Sequence, residues 1–243
     1  MALDVRSYEL IVVERDLPWL LGQWVRRSPD KPFLIWAPHE GAHESWTYRA
    51  FDDAVRRVAA GLASIGVSRG DKVHIHLENC AALLFAYFAC ARLGAVAVMG
   101  NTRSSKAEVQ HYLNLVSPLI VVTQREYTPH FAGFDGDLVL VDDESGTAPS
   151  KSELLTSEPL EGDRPREPML DLRVQFTSGT TSRPKAVLST HANTLFSAQQ
   201  TALAYALRTD DICQVFVPLF HNNGLATLVM STLWSGGTVL LQP

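Results

Sequence analysis

The sequence has little of the positive charge and cysteine that would assign it to several common protein classes. Its 243 residues carry a formal net charge of −5 and contain no block of Lys or Arg. Neither nucleic acid nor an anionic membrane surface is therefore expected as the main partner. The three cysteines, Cys80, Cys90 and Cys213, form no CxxC pair. This odd, widely spaced set favours buried thiols in a reducing compartment, and a cytoplasmic location is expected.

A secretion signal and a membrane span are not predicted either. Charged residues such as Asp4 and Arg6 interrupt the first residues, and no apolar stretch there leads to a cleavage site. The longest apolar run, 81–100, contains Arg92 and Gly94 and is rich in alanine. A membrane span is the less favoured interpretation of such a run. The run predicts a buried helix followed by a buried strand.

What the sequence does contain is an alternation of β-runs and helices. Apolar β-runs at 72–79, 95–101 and 119–124 enclose helical segments at 81–92 and 105–116. Helices of this length between strands imply parallel strands joined by right-handed crossovers. Because the strands are apolar on both faces, helices are expected to cover both sides of the sheet. The predicted class is α/β, with doubly wound, mostly parallel sheets and flanking helices.

Segments on either side of this unit predict further elements. Helices are expected around 19–25 and at 52–65, 191–206 and 224–234, and β-runs at 33–37, 137–143, 172–176, 186–190, 212–220 and 237–243. The segment SWTYRAF, residues 45–51, follows a short polar interruption and precedes the helix at 52–65. Ser189 or Thr190 is expected to cap the helix that begins at His191. Residues 144–168 combine Gly and Pro with charges, which is typical of a linker or a long loop. Asp52, Asp53, Arg56 and Arg57 are expected to form an ordinary charged helix face.

The stretch VQFTSGTTSRPKAV, residues 174–187, is the strongest functional signal. Six consecutive Ser, Thr and Gly residues, 177–182, precede Lys185 by three positions. Small residues let backbone N–H groups approach a phosphate, hydroxyls add donors, and a lysine supplies charge. The Walker pattern is absent, because Pro184 takes the place of its second glycine and Ala186 follows the lysine. On composition alone, a solvated turn between two strands is the commoner alternative.

The order of these residues resembles the TSGTTGxPKG signature of the adenylate-forming superfamily, which includes acyl-CoA synthetases, luciferases and peptide-synthetase adenylation domains. The matching residues are Phe176, Thr177, Ser178, Gly179, Thr180, Thr181, Pro184, Lys185 and Val187. Ser182 and Ala186 stand where the family normally has glycine. If either position needs a positive φ, its Cβ costs on the order of 1 kcal/mol or more.

Three weaker resemblances lie in the expected order. Residues 45–73 resemble an early family stretch, PLFHNNGL at 218–225 resembles the family's PLFHxxG element, and 91–103 resembles acyl-CoA synthetases more than peptide-synthetase domains. The last of these favours a fatty, short-chain or aromatic acid as the substrate. Taken alone, residues 45–73 are more typical of an amphipathic helix, and residues 218–225 of a Pro-ended strand.

The resemblance implies an ATP-dependent ligase that converts a carboxylic acid to an acyl-adenylate, with Mg²⁺, and then transfers the acyl group to coenzyme A. It implies that the β- and γ-phosphates are held by Thr177, Ser178, Gly179, Thr180, Thr181 and Lys185. It also implies that His221 lies at the acyl-carboxylate end of the pocket. The alternative for His221 is a strand-end histidine that caps a turn with Asn222 and Asn223.

No metal site is predicted from the protein side chains alone. His74 and His76 lie on one face of a predicted strand, but the sequence offers no third ligand nearby. A packed histidine pair is the favoured interpretation.

The resemblance also implies how the chain is organised. Residues 71–208 would form one α/β lobe with the phosphate loop, and 1–70 with 209–243 would begin a second lobe. The family's later adenine, ribose and C-terminal lysine segments have no counterpart here, so an N-terminal half that is inactive alone is expected. The alternatives are a non-catalytic nucleotide- or partner-binding module, or an unrelated α/β protein with a chance loop. The sequence leaves open whether the protein forms a homo-oligomer.

Overall fold

The computed structural model describes residues 14–142, 158–177 and 184–243. Their strands are β1 (Pro32–Trp36), β2 (Glu44–Thr47), β3 (Lys72–His76), β4 (Val96–Met99), β5 (Ile120–Thr123), β6 (Asp137–Leu140), β7 (Asp171–Thr177), β8 (Lys185–Thr190), β9 (Ile212–Val215) and β10 (Thr238–Leu241). Their α-helices are α1 (Leu17–Arg27), α2 (Tyr48–Ser64), α3 (Ala81–Leu93), α4 (Lys106–Val116), α5 (His191–Ala204) and α6 (Met230–Ser235). A 3₁₀ helix spans Arg125–Phe131, and a π-helix spans Asn223–Val229.

The larger sheet has six strands in the order β6-β5-β3-β4-β7-β8. Its first five strands run parallel, and β8 runs antiparallel to β7. Helices α3 and α4 connect β3 to β4 and β4 to β5, which is the crossover pattern that the sequence predicts. The α/β class with mostly parallel strands is confirmed.

The smaller sheet has the order β2-β1-β10-β9, in which β1, β10 and β9 are parallel. Its strands come from both ends of the described chain. One continuous cluster of buried apolar side chains reaches both sheets and includes Leu34, Val73 and Val239. The proposed lobes, 71–208 and the two end segments, stay a prediction.

Helix α3 is the apolar run of the sequence. Twelve of its thirteen residues are buried, and Gly94 ends it at a φ of 74°. Strand β4 follows, so the predicted buried helix and buried strand are confirmed. In the described part of the chain, no helix has the length and apolar character that crossing a membrane requires.

Arg92 is buried within this helix because two carboxylates pair with it. Its guanidinium bonds to Asp52 and Asp163. Asp52 is only 8% exposed, so the expectation of an ordinary charged helix face is wrong for this residue, although Asp53 and Arg57 do pair at the surface. A buried ion needs such partners to offset its lost hydration.

The described part of the predicted linker or long loop is fastened to the helices. Arg56 donates to the carbonyl oxygens of Leu160 and Gly162, and Arg164 donates to that of Ala91. These bonds fix this segment against α2 and α3.

Two helix starts show how local caps set element boundaries. The Thr47 hydroxyl accepts from the Ala50 N–H at 3.1 Å, so α2 begins at Tyr48. The predicted helix start at Asp52 is therefore wrong by four residues. Thr190, one of the two predicted caps, forms a capping box with Asn193 at the start of α5.

None of the three cysteines, all of which lie in the described part of the chain, forms a disulfide bond. Cys90 is buried, as predicted, whereas Cys80 and Cys213 are half-buried. Burial raises the pKa of the Cys90 thiol to about 12, which keeps it protonated and inert.

Candidate functional site

The hydroxyl-rich loop, residues 178–184, connects β7 to β8, and these two strands pair as an antiparallel hairpin. Thr177 ends β7 and pairs with Lys185, which begins β8. Ser178, Gly179, Thr180, Thr181 and Ser182 lie outside the described residues.

Ala186, one of the two departures from the family pattern, pairs with Phe176 inside the β7–β8 ladder. Its φ is not positive. A Cβ therefore carries no backbone strain at this position.

A cavity of about 150 Å³ lies at the base of the hairpin. It is lined by Met99, Asn101, Arg103, Ser104, Glu108, Tyr112, Phe176, Thr177, Pro184, Phe220 and His221. It lies beyond the carboxyl ends of the parallel strands β4 and β7, where open α/β sheets bind ligands. One wall is the stacked pair of Tyr112 and Phe176, whose ring centroids are 4.0 Å apart.

Two predicted site residues, Thr177 and His221, line this one cavity although they are 44 positions apart. Lys185 is exposed and follows the lining residue Pro184, but it is not itself part of the lining. The structure thus brings together the start of the loop and the histidine of the PLFHNNG element. Their roles toward a ligand stay a prediction.

His221 belongs to a tight turn rather than to a strand. Strand β9 ends at Val215, so the β-run predicted over 212–220 is wrong beyond that residue. Pro218 has no N–H for a strand ladder, and its carbonyl accepts from the His221 N–H at 3.1 Å. The imidazole is exposed and lines the cavity. The predicted helix at 224–234 follows as the π-helix and α6.

Position 224, just after this turn, requires a glycine because the backbone of the turn approaches it closely. A Cβ there would lie 2.6 Å from the carbonyl oxygen of Pro218 and 3.0 Å from that of Val217. The π-helix therefore packs against the turn by direct backbone contact.

Three polar side chains that sequence reasoning missed hold this turn. Arg173 donates to Asn222 Oδ1 and Gln175 donates to the Phe220 carbonyl, each at 2.9 Å. Asn79 accepts from the Leu219 N–H at 2.8 Å. The available signal was a pair of polar residues at alternate positions in the otherwise apolar LRVQF strand.

Charge around the cavity is mixed. The Arg103 side chain lines it, and the Arg103 backbone N–H donates to Asn101 Oδ1 at 2.9 Å. The carboxylate of Glu108 accepts from the N–H and hydroxyl of Ser105, which together hold its pKa below the usual value. Both bonds end on Oε2 of Glu108, so this oxygen belongs to the capping box at the start of α4.

His74 and His76 form a packed pair and are not among the residues that line the cavity. Their ring centroids are 5.6 Å apart, and both rings contact Phe131. Burial lowers the pKa of His74 to about 3 and that of His76 to about 4, with smaller contributions from His76 and His130 respectively. Among the described residues, no group of three or more His, Cys, Asp or Glu side chains is placed to hold a metal ion.

Comparison with known proteins identifies a matching protein family. The model for the AMP-binding enzyme family matches residues 21–243. The crotonobetaine/carnitine–CoA ligase of Salmonella typhimurium is 30% identical over 232 residues, which cover 87% of this chain and 43% of that protein. That of Citrobacter koseri is 29% identical over 228 residues, with the same coverage. The chain thus spans less than half the length of these curated relatives.

Solved structures agree with this match. A putative long-chain-fatty-acid CoA ligase from Rhodopseudomonas palustris has a TM-score of 0.83 at 23% identity, covering 94% of this chain and 57% of that one. The o-succinylbenzoate coenzyme A synthetase of Bacillus subtilis, in complex with AMP, has a TM-score of 0.79 at 26% identity, covering 93% and 55%. These structures share the fold, and the match over residues 21–243 shows that the chain belongs to the AMP-binding enzyme family.

Proposed function

We propose that this chain is the phosphate-loop portion of an ATP-dependent CoA ligase, which activates a carboxylic acid as an acyl-adenylate and transfers the acyl group to coenzyme A. The observation that carries the proposal is the cavity that Thr177 and His221 share at the base of the hairpin. Family membership and curated relatives that are CoA ligases support the reaction class.

In this proposal the substrate carboxylate attacks the α-phosphorus of ATP and expels pyrophosphate. The thiol of coenzyme A then attacks the acyl carbonyl and expels AMP. The work of the protein is to position the reactants and to neutralise phosphate charge. Thr177 and Lys185, with Ser178, Gly179, Thr180 and Thr181, would donate to the β- and γ-phosphates, and His221 would lie beside the reacting carboxylate.

The described residues do not fit a Mg²⁺ ion held by protein side chains. Glu108 is the one carboxylate among the described residues that line the cavity, and it is bonded to Ser105. Mg²⁺ is commonly bound by one or two carboxylates together with substrate phosphates. The described residues of this chain therefore supply no set of carboxylate ligands for the ion.

The carboxylic acid is proposed at the level of a class. The likeness of residues 91–103 to acyl-CoA synthetases favours a fatty, short-chain or aromatic acid. By name, the curated relatives act on crotonobetaine or carnitine. A cytoplasmic location is part of the proposal.

The test is exchange between ATP and labelled pyrophosphate over a panel of carboxylic acids. We expect exchange in a ligase-length protein that contains this chain, and none with the chain alone. Lys185→Ala should reduce the exchange rate about 100-fold, because a cation facing the phosphates is lost. Arg49→Ala is the matched control, since it removes an exposed cation of α2 that pairs with Asp30.

Two results would oppose the proposal. Absence of exchange with every acid, while ATP still binds, would favour a non-catalytic nucleotide-binding module. An equal loss in Lys185→Ala and Arg49→Ala would mean that Lys185 has no specific role toward phosphate.

A further inference from the structure

Strand β7 is hydrogen-bonded to the turn of residues 216–222, called the cavity turn below, on both sides of His221. Because successive strand residues point to opposite faces, Arg173, Gln175 and Thr177 lie on one face of β7. Arg173 bonds to the side chain of Asn222 and Gln175 bonds to the carbonyl of Phe220, each at 2.9 Å. The two residues that flank His221 in the chain are thus both bonded to the strand that leads into the hydroxyl-rich loop.

We propose that Arg173 and Gln175 are positioning residues, which fix His221 relative to Thr177 across the cavity. The expected effect on catalysis rests on the proposed function. The geometric part, that Arg173 and Gln175 fix the position of His221 relative to Thr177, does not depend on it. The strand would then act as a rigid support that sets the separation between the phosphate loop and the acyl end of the site.

The burial of Arg173 supports a specific task for it. The side chain is 5% exposed, and its Nε atom has no hydrogen-bond partner among the described residues. Within the same residues its one side-chain bond is to Asn222, and no carboxylate pairs with it. A buried guanidinium with so few partners costs stability compared with an apolar side chain. The hydrogen bond to Asn222 of the cavity turn is the gain that we assign to this buried side chain.

The turn depends on these side chains because it has little structure of its own. Residues 216–221 belong to no strand or helix. The local backbone bonds at His221 are its N–H to Pro218 and its carbonyl accepting from Leu225 at 3.3 Å. A misplacement of about 1 Å at a reacting group can cost about 100-fold in rate, and the two bonds to a buried strand supply the required precision.

Hydrogen exchange of the backbone amides in this chain tests the geometric part. In Gln175→Leu we expect the amides of Leu219 and His221 to exchange about tenfold faster than in the unmodified chain, because the turn is released. Gln110→Leu is the matched control, since Gln110 also donates to a backbone carbonyl, that of His130, at 2.7 Å. The control should leave both amides unchanged.

Asn222→Ala is a second variant that keeps the test decisive if Gln175→Leu fails to fold. Asn222 is exposed, so its truncation removes the acceptor of the Arg173 bond without disturbing the sheet. Faster exchange at Leu219 and His221 supports the inference. Unchanged exchange at both amides in both variants overturns it.

The catalytic part is tested in the ligase-length protein by the kinetics of pyrophosphate exchange. Gln175→Leu should lower kcat by about 10- to 100-fold and leave the KM for ATP within about twofold, because position rather than nucleotide binding is lost. A loss that lies wholly in KM overturns the positioning role. If no ligase-length protein shows exchange, the proposed function fails, while the amide exchange result still decides the geometric part.

Discussion

The side chain of Asn79 offers a quantitative test of how the cavity turn is held to the rest of the fold. It lies after β3 and is 7% exposed. Its Nδ2 donates to the carbonyls of Val217 and Gln242 at 3.1 and 3.0 Å, and its Oδ1 accepts from Leu219 at 2.8 Å. These three bonds join the larger sheet to both ends of the segment that carries the turn and β10.

Asn79→Ala should lower the free energy of unfolding by about 3 kcal/mol. Each intramolecular hydrogen bond contributes roughly 1 kcal/mol net, and truncation leaves three backbone groups without their partner. Because folded domains are stable by only about 5–15 kcal/mol, this change is large enough to shift a urea midpoint clearly.

The measurement is equilibrium urea unfolding followed by tryptophan fluorescence. Asn101→Ala is the matched control, because its side chain accepts one exposed bond from the Arg103 N–H, and we expect a loss of less than about 1 kcal/mol. A loss below about 1 kcal/mol for Asn79→Ala, or equal losses in the two variants, would refute the reasoning from the three bonds.

Two further predictions concern packing and pH. Gly224→Ala should destabilise the protein by about 1–3 kcal/mol, since its Cβ would lie 2.6 Å from the Pro218 carbonyl, whereas Gly22→Ala faces a flexible arginine and should cost little in the same urea assay. The buried, neutral His74 and His76 make stability fall as pH drops below the unfolded-state pKa near 6.5 towards their folded pKa values of about 3 and 4. The unfolded state binds the extra protons in that window, so each histidine should cost about 2 kcal/mol between pH 7 and pH 5. His76→Phe should flatten this dependence, and an unchanged slope would mean that the pair is not held neutral.

Several features could be predicted from the sequence because they depend on residues close together in the chain. Thr190 caps α5 through Asn193 three positions on, and Gly94 ends α3 because glycine tolerates a positive φ. The buried helix and strand at 81–100 follow from hydrophobicity alone. Errors were also local: Thr47 starts α2 earlier than the hydrophobic period indicates, and Pro218 limits how far β9 can extend.

The sequence by itself determined the α/β class, the ordered signature that places the chain in its family, and the expectation that Thr177 and Lys185 belong to one loop between two strands. Only the tertiary structure decided that His221 meets Thr177 in one cavity, that Asp52 and Asp163 neutralise Arg92, and that β7 and Asn79 hold the cavity turn. The physical reason is separation along the chain. Caps and turns are set by partners three or four residues away, whereas these contacts join residues 40 or more positions apart, which no local pattern can pair.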